Sequence, residues 1–303
     1  MTVLAITGAT GFVGKTVMRI ALDKGFSIRA LTRRPQEARA GVVWVEGALD
    51  NPEALDELVR GSQAVIHIAG VVNAPDRAGF AAGNIDGTTA VTEAAEAAGI
   101  HRFIHVSSLS AREPALSTYG WSKAGAEAAV IASALEWTMV RPPAIYGPAD
   151  TEMLDMFRMA RRGLVLLPPP GRLSVIEVSD LARLLLALVP DRSTIGRIYE
   201  ADDGTENGWS HRGFAQALGA AVGKRVATFA TPKALLKFAS RLDRLARRSK
   251  AKLTADRVDY FCHPDWVVDS AKRPPADVWQ PQINTRAGLK ATAAWYRRKG
   301  WMG

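Results

Sequence analysis

Residues 7–14 read Thr7-Gly8-Ala9-Thr10-Gly11-Phe12-Val13-Gly14. An apolar run, Val3-Leu4-Ala5-Ile6, precedes them, and a segment with helical character, Val13 to Asp23, follows. The three glycines fall three residues apart. Gly8 lets the chain turn sharply off a strand. Gly11, lacking a Cβ, lets a pyrophosphate approach the backbone. Gly14 lets the helix pack close to the sheet. The helix N-terminus then offers unpaired N–H groups and the positive end of its dipole to phosphate. A glycine triplet alone also fits a turn in an unrelated α/β protein. Strand, glycine turn and helix in this order make the opening βα unit of a dinucleotide-binding fold.

Strand and helix patterns alternate downstream. Ser27–Thr32, Val42–Glu46, Ala64–Ala69, Arg102–Ser107 and Trp137–Arg141 read as strands. Pro52–Arg60, Ala81–Ala98 and Tyr119–Ala134 read as helices between them. This alternation predicts a parallel sheet covered on both faces. After Pro142 the regularity loosens. Met153–Arg162 and Glu177–Val189 read as helices, Leu164–Pro170 as a proline-rich loop and Arg197–Ala201 as a further strand. The expected fold class is α/β, a Rossmann-like doubly wound parallel sheet with a smaller C-terminal α+β substrate-binding region. The expected domains are residues 1–150, with 173–201 returning to them, and a substrate-binding region of 151–172 and 202–303.

The chain has 303 residues, 48% of them hydrophobic and 23% charged, and an ordinary globular composition. A single cysteine, Cys262, forbids an intrachain disulfide and points to a reducing compartment. No apolar run approaches the length of a membrane span. The first strand starts so early that no signal peptide is expected, which predicts a cytoplasmic protein. The histidines His67, His101, His105, His211 and His263 show no metal-ligand spacing, and Cys262 beside His263 is far short of a site.

Tyr119 and Lys123 stand four residues apart, so they share one helix face. Ser107 and Ser108 end the fifth predicted strand. A lone Tyr-x-x-x-Lys is ordinarily an exposed helix pair; the serines and the glycine turn change that reading. Together these residues resemble the short-chain dehydrogenase/reductase superfamily, and more closely its extended, epimerase/dehydratase-like branch. The segment Arg141-Pro142-Pro143-Ala144-Ile145-Tyr146-Gly147-Pro148 is similar to that branch's Arg-Pro-x-x-x-Tyr-Gly-Pro. Val178-Ser179-Asp180-Leu181-Ala182 and the tail from Gly288 through Trp295-Tyr296 to Trp301 also resemble it, so the likeness covers the whole chain.

The resemblance implies carbonyl chemistry with a nicotinamide cofactor. Tyr119 would donate the proton, Lys123 would lower the phenol's pKa from its ordinary value near ~10 and hold the nicotinamide ribose, and Ser108 would orient the carbonyl oxygen. Ser107 and Ser110 are the alternatives to Ser108. The implied cofactor site comprises Gly8, Thr10, Gly11, Phe12, Val13, Gly14, Arg33, Arg34, Leu49, Ala69, Gly70, Asn84, Lys123 and Pro142. At the end of the second strand, where an acid would select NAD(H), the chain has Thr32-Arg33-Arg34. Arginine forks match phosphate geometry, so NADP(H) is expected over NAD(H); a ligand-free surface pair is the alternative. Where the branch often has Gly-Asp-Leu, this chain has Gly47-Ala48-Leu49, so adenine contacts would come from the backbone around Leu49 or from another side chain.

Within the branch the chain resembles 3β-hydroxysteroid dehydrogenases, dihydroflavonol reductases, the reductase-like accessory subunit of respiratory complex I and bacterial 3-oxo-ceramide reductases. The expected function is reduction of a ketone on a bulky hydrophobic, lipid-like substrate such as a 3-oxo-ceramide or a sterol-like compound. One rival is a nucleotide-sugar epimerase with a retained cofactor. It is weakened by the short serine-to-tyrosine gap, and dehydration by Leu109-Ser110 where dehydratases have an acidic pair. Another rival is a non-catalytic NADP-binding assembly subunit. Members of the branch are often dimers, which implies a homodimer.

The net charge of +9 is uneven. Lys233 to Lys252 holds eight basic residues and one acid, Asp243, a sum of +7 that leaves +2 for the rest. Such local basicity argues against nucleic-acid binding. Lys233, Lys237, Arg241, Arg244 and Arg248 share one helix face, and Leu235, Phe238, Leu242 and Leu245 share another. This basic amphipathic helix near 232–252 fits an anionic membrane surface, giving a peripheral protein on the inner face. The alternative is a solvated helix whose leucines pack on the protein.

Overall fold

The computed structural model of the chain describes residues 2–247 and 254–302; Arg248 of the basic segment lies outside the described residues. In chain order the elements are β1 (Val3–Thr7), α1 (Phe12–Asp23), β2 (Ser27–Thr32), β3 (Val42–Glu46), α2 (Pro52–Val59), β4 (Ala64–His67), the short α3 (Arg77–Phe80), α4 (Gly87–Ala97), β5 (Arg102–Val106), α5 (Thr118–Ala132) and β6 (Glu136–Val140). There follow β7 (Ala144–Tyr146), α6 (Leu154–Arg161), β8 (Leu164–Leu167), β9 (Arg172–Leu173), β10 (Val175–Glu177), α7 (Val178–Leu188) and β11 (Arg197–Tyr199). The chain ends with β12 (Trp209–Ser210), α8 (His211–Val222), β13 (Ala227–Ala230), α9 (Lys233–Arg247), α10 (Ala255–Phe261), β14 (Asp265–Trp266) and α11 (Thr285–Arg298).

Two compact units are present. The first comprises Met1–Pro142, Leu181–Glu200 and Pro274–Gln280. Its sheet has seven strands, all parallel, in the order β11-β6-β5-β4-β1-β2-β3. The order reverses between β1 and β4, which is the switch point where open α/β sheets take ligands beyond their strand C-termini. Ala5, Val65, Phe103 and Met139 face a core completed by Leu55 and Leu58 of α2, Val91 of α4 and Val130 of α5. By the period of two, Leu4, Ile6, Ile66 and Ile104 face the other side, and they are also fully buried. Both faces are therefore covered, as near-continuous apolar strands require. The expected Rossmann-like fold is thus the observed one.

The turn after β1 depends on glycine at two places. Gly8 has φ +70°, a conformation that side chains rarely adopt, and a Cβ there would meet Ala69 N at 2.7 Å. A Cβ on Gly14 would overlap Gly8 O and come within 2.7 Å of Ala9 Cα. Backbone atoms cannot swing aside, so Gly14→Ala is expected to destabilise the protein by about 1–3 kcal/mol, the usual cost of overpacking, read as a lowered urea midpoint.

The expected helix over Ala81–Ala98 is interrupted. After α3 the chain makes a π-helical stretch, Ala81–Asp86, before α4 begins at Gly87. The widened turn carries Asn84, whose side chain is anchored outside its own helix, as described below.

The second unit comprises Pro143–Asp180, Ala201–Arg273 and Pro281–Gly303. Its core gathers Tyr146, Phe157 of α6, Phe214 and Leu218 of α8, and Leu289 and Tyr296 of α11. Its strands form small sheets: β7 with β10, β9 between β12 and β14, and β8 with β13. Leu164–Leu167, read from sequence as part of a loop, is a strand because it pairs in parallel with Ala227–Ala230. Val165 and Leu167 turn inward while Leu164 and Leu166 stay exposed, and the three prolines follow the strand rather than breaking it.

Candidate active site

Every residue singled out for catalysis or cofactor binding lies in the first unit, at or just beyond the C-terminal ends of β1 to β6 or on α1, α5 and the π-helical stretch. Thr10, Phe12 and Val13 are half-buried and Gly11 is exposed at the start of α1. The N-cap of α1 is Gly11, with no side-chain cap and no acid in the first turn. Its leading N–H groups and dipole are therefore left for an outside anion. Arg33 and Arg34 are exposed just past β2, the strand beside β1. Neither guanidinium pairs with a carboxylate among the described residues. Leu49 packs toward the start of α4, where a Cβ on Gly87 would meet its Cδ1 at 2.7 Å.

The end of β4 is locked to the end of β1 through Thr7. Its Oγ1 accepts from the backbone N–H groups of Ile68 and Ala69, both at 3.2 Å, and lies 2.7 Å from His67 Nδ1. With its lone pairs so used, the hydroxyl proton goes to Nδ1, and Nε2–H of His67 donates to Thr88 Oγ1 at 3.0 Å. The ring is thus neutral, and burial together with the Lys123 charge pushes its pKa down to about 3. His105 stacks on it with ring centroids 5.4 Å apart and is held well below the usual histidine range by burial. Both histidines are packed strand residues.

Asn84 braces the next stretch. Its Oδ1 accepts from Val71 N at 2.8 Å, and its Nδ2 donates to Val71 O at 3.0 Å and to Ser122 Oγ at 2.8 Å. Ser122 Oγ donates to Tyr119 O at 2.8 Å. One buried amide therefore ties the Ala69-Gly70-Val71 loop to the helix that carries Tyr119 and Lys123. Asn84 acts as a brace, since both amide hydrogens are already used.

On α5, Tyr119 is half-buried with its ring 6.3 Å from that of Phe80. One turn later Lys123 is buried, and its Nζ donates to Val106 O, the last carbonyl of β5, at 2.9 Å. A Cβ on Gly70 would lie 4.0 Å from that Nζ, so the ammonium sits between the ends of β4 and β5. Burial pushes its pKa down to about 8, against the pull of the Glu127 carboxylate. Ser108 caps the short helix Leu109–Arg112 and is half-buried; its Oγ accepts from Ser110 N at 3.2 Å and Ser110 Oγ at 2.9 Å. Its own hydroxyl proton is left to give. Ser107, in contrast, donates its proton to Glu127 Oε1 at 2.5 Å, and Ser110 is fully buried behind Ser108. The carbonyl of Pro142 accepts from Leu109 N at 3.0 Å and steadies the turn.

Behind these groups lies an ionic network. Arg141 donates to both carboxylate oxygens of Glu127, from Nε at 2.8 Å and Nη2 at 2.6 Å. Arg141 also lies 3.7 Å from Glu200, and Glu200 lies 3.5 Å from Arg112. The sequence reading does not single out Thr7, Ser122 or Glu127. Glu127 carried a signal: it follows Lys123 by four residues and Tyr119 by eight, on one helix face.

The arrangement fits a bound dinucleotide: an uncapped helix start, a glycine turn closed against Ala69, and a buried ammonium between the ends of β4 and β5. A family profile described as NAD(P)H-binding matches residues 8–191. The chain is 38% identical to a ceramide reductase of Caulobacter vibrioides over 99% of its own length and 96% of the relative's. It is 28% identical to a 2-alkyl-3-oxoalkanoate reductase of Stenotrophomonas maltophilia over 96% and 98% of the two chains. Its fold superposes on the crystal structure of gox2253 with a TM-score of 0.79 at 22% identity, covering 100% and 99% of the chains. The chain therefore belongs to the NAD(P)H-binding, epimerase/dehydratase-like extended branch of the short-chain dehydrogenase/reductase superfamily, and is an oxidoreductase that uses a nicotinamide cofactor.

Proposed function

We propose that this protein is an NADPH-dependent reductase of a ketone on a bulky hydrophobic substrate, a 3-oxo-ceramide or a compound of that class. The observation that carries the reading is the buried Lys123 ammonium, pinned at the end of β5 one helical turn after Tyr119 and beside the Ser108 turn. Gly8, Gly11 and the start of α1 would cradle the pyrophosphate, Lys123 would hold the ribose next to the nicotinamide, and Arg33 and Arg34 would meet a 2′-phosphate. Held there, a nicotinamide dinucleotide would supply the hydride. Ser108 would donate a hydrogen bond to the substrate carbonyl oxygen, keeping its own proton, and stabilise the charge that develops there. Tyr119 gives its phenolic proton to the same oxygen, so the ketone leaves as an alcohol. The Lys123 charge favours the phenolate left behind and so makes the phenol a stronger acid. The near full-length likeness to a ceramide reductase supports a lipid ketone as substrate. The second unit would supply the substrate-binding region.

The test is a titration followed by tryptophan fluorescence, with Trp121 on α5 as the reporter. Wild type is expected to bind NADPH at least tenfold more tightly than NADH, about 1.4 kcal/mol. Arg33→Ala is expected to erase that difference, and wild type to turn over 3-oxo-ceramide in mixed micelles with net NADPH oxidation. Equal or tighter binding of NADH, with no net oxidation, would overturn the reading in favour of an epimerase that retains its cofactor.

A further inference from the structure

α9 presents three faces. At 100° per residue, Leu236, Ala239, Ser240 and Asp243 fall together, and they are buried or half-buried. Leu235, Phe238, Leu242 and Leu245 fall within an arc of about 80° and are 55%, 56%, 51% and 77% exposed. Lys233, Lys237 and Arg241 form the third face, all exposed. The apolar face is thus turned away from the protein, which removes the alternative in which its leucines pack inward. Lys233 and Lys237 reach Asp259 of α10 at 2.8 and 3.2 Å. These contacts seat the helix on α10 by its basic edge and leave the leucines outward.

The exposure is concentrated. Among the described residues eleven large apolar side chains are exposed, and eight of them lie between Leu164 and Phe261. The strand leading into α9 belongs to this set: Phe229 of β13 is 61% exposed and pairs in register with Leu166 of β8, 56% exposed. Apolar surface on this scale marks a contact with something outside the chain. Its flank decides what. The segment Lys233–Lys252 carries seven of the nine net positive charges. A cationic face adjoining an apolar one is complementary to an interface that is anionic at its surface and hydrocarbon beneath.

We propose that α9 docks the protein on an anionic lipid surface. Leu235, Phe238, Leu242 and Leu245 enter the acyl boundary, and Arg241 lies at the headgroups. No helix of the described residues is long and apolar enough to cross a membrane, so the attachment is interfacial. It does not rest on the reductase reading, since no residue of the candidate active site takes part.

The test is co-sedimentation of the full chain with vesicles of phosphatidylcholine alone or with one third phosphatidylglycerol, at low and high salt. Wild type is expected to partition at least tenfold more strongly onto the anionic vesicles, with the gap closing in high salt as charge is screened. Phe238→Glu/Leu242→Glu is expected to lose binding at least tenfold while its cofactor titration stays unchanged. If that double variant fails to fold, Leu245→Glu, at the most exposed of the four positions, serves instead. Equal binding to both vesicle types, or variant binding as strong as wild type, would overturn the proposal. So would a lipid-free wild-type dimer that becomes monomeric in the variant, because the face would then belong to a second copy.

Discussion

Tyr119→Phe is expected to lower ketone reduction by about 10²–10⁴-fold, the usual contribution of a positioned general acid, with NADPH affinity changed less than twofold. The substitution removes one oxygen and keeps the ring against Phe80. The backbone carbonyl of Tyr119 still accepts from Ser122, so the tie to Asn84 and the Gly70 loop survives. Lys123 keeps its bond to Val106 O. Loss of turnover with binding intact separates a proton donor from a structural tyrosine, which would lose both. Retained turnover would remove Tyr119 from the mechanism. Retained cell phenotype together with lost turnover would favour a cofactor-binding assembly role.

Glu127→Gln is expected to destabilise the protein by about 3–5 kcal/mol, the cost of breaking a buried pair by neutralising one partner. Glu127 is 4% exposed and accepts three hydrogen bonds, two from Arg141 and one from Ser107. Those bonds raise the pKa of Arg141 above its ordinary value. An amide nitrogen in place of one oxygen turns a donor toward the guanidinium and leaves its charge facing Glu200 alone. Urea unfolding followed by intrinsic fluorescence measures the loss; a midpoint within error of wild type would show that the network contributes little.

The same variant moves the pH dependence. Lys123 has a pKa of about 8, below its ordinary value, because burial outweighs the raising effect of Glu127. Without the carboxylate it falls further. The alkaline limb of the reduction rate is therefore expected to shift to lower pH in Glu127→Gln. The stability effect has the opposite sense. The depressed folded-state pKa means that the unfolded chain binds more protons between about 8 and the ordinary lysine value of about 10.5. The burden of the buried ammonium is carried in full below pH 8 and relieved as pH rises through that window.

Much of this is written in local patterns. The glycine spacing, Thr7 to Gly14, and the apolar runs at Val3–Ile6 and Ala64–Ile66 depend on neighbours a few residues away. Strand, turn and helix order followed from them, and the Tyr119–Lys123 face followed from helical period alone. Boundaries were less legible where anchoring from elsewhere intervenes. The π-helical stretch at Ala81–Asp86 presents Asn84 to Val71 and Ser122, and no periodicity announces it. Leu164–Leu167 became a strand only because Ala227–Ala230 lies alongside it.

By itself, then, the sequence determined the class of fold, the dinucleotide turn and the helix face on which a tyrosine and a lysine meet, because each follows from backbone period and glycine stereochemistry over short spans. Tertiary structure alone decided how the three serines differ and where the α9 leucines point. Ser107 gives its proton to Glu127, twenty residues away in the chain, whereas Ser108 accepts from Ser110 and keeps its own proton to donate. Leu235, Phe238, Leu242 and Leu245 face outward because α9 is held by its other sides. Hydrogen-bond partners and solvent exposure are properties of which distant atoms come together, and no local pattern carries them.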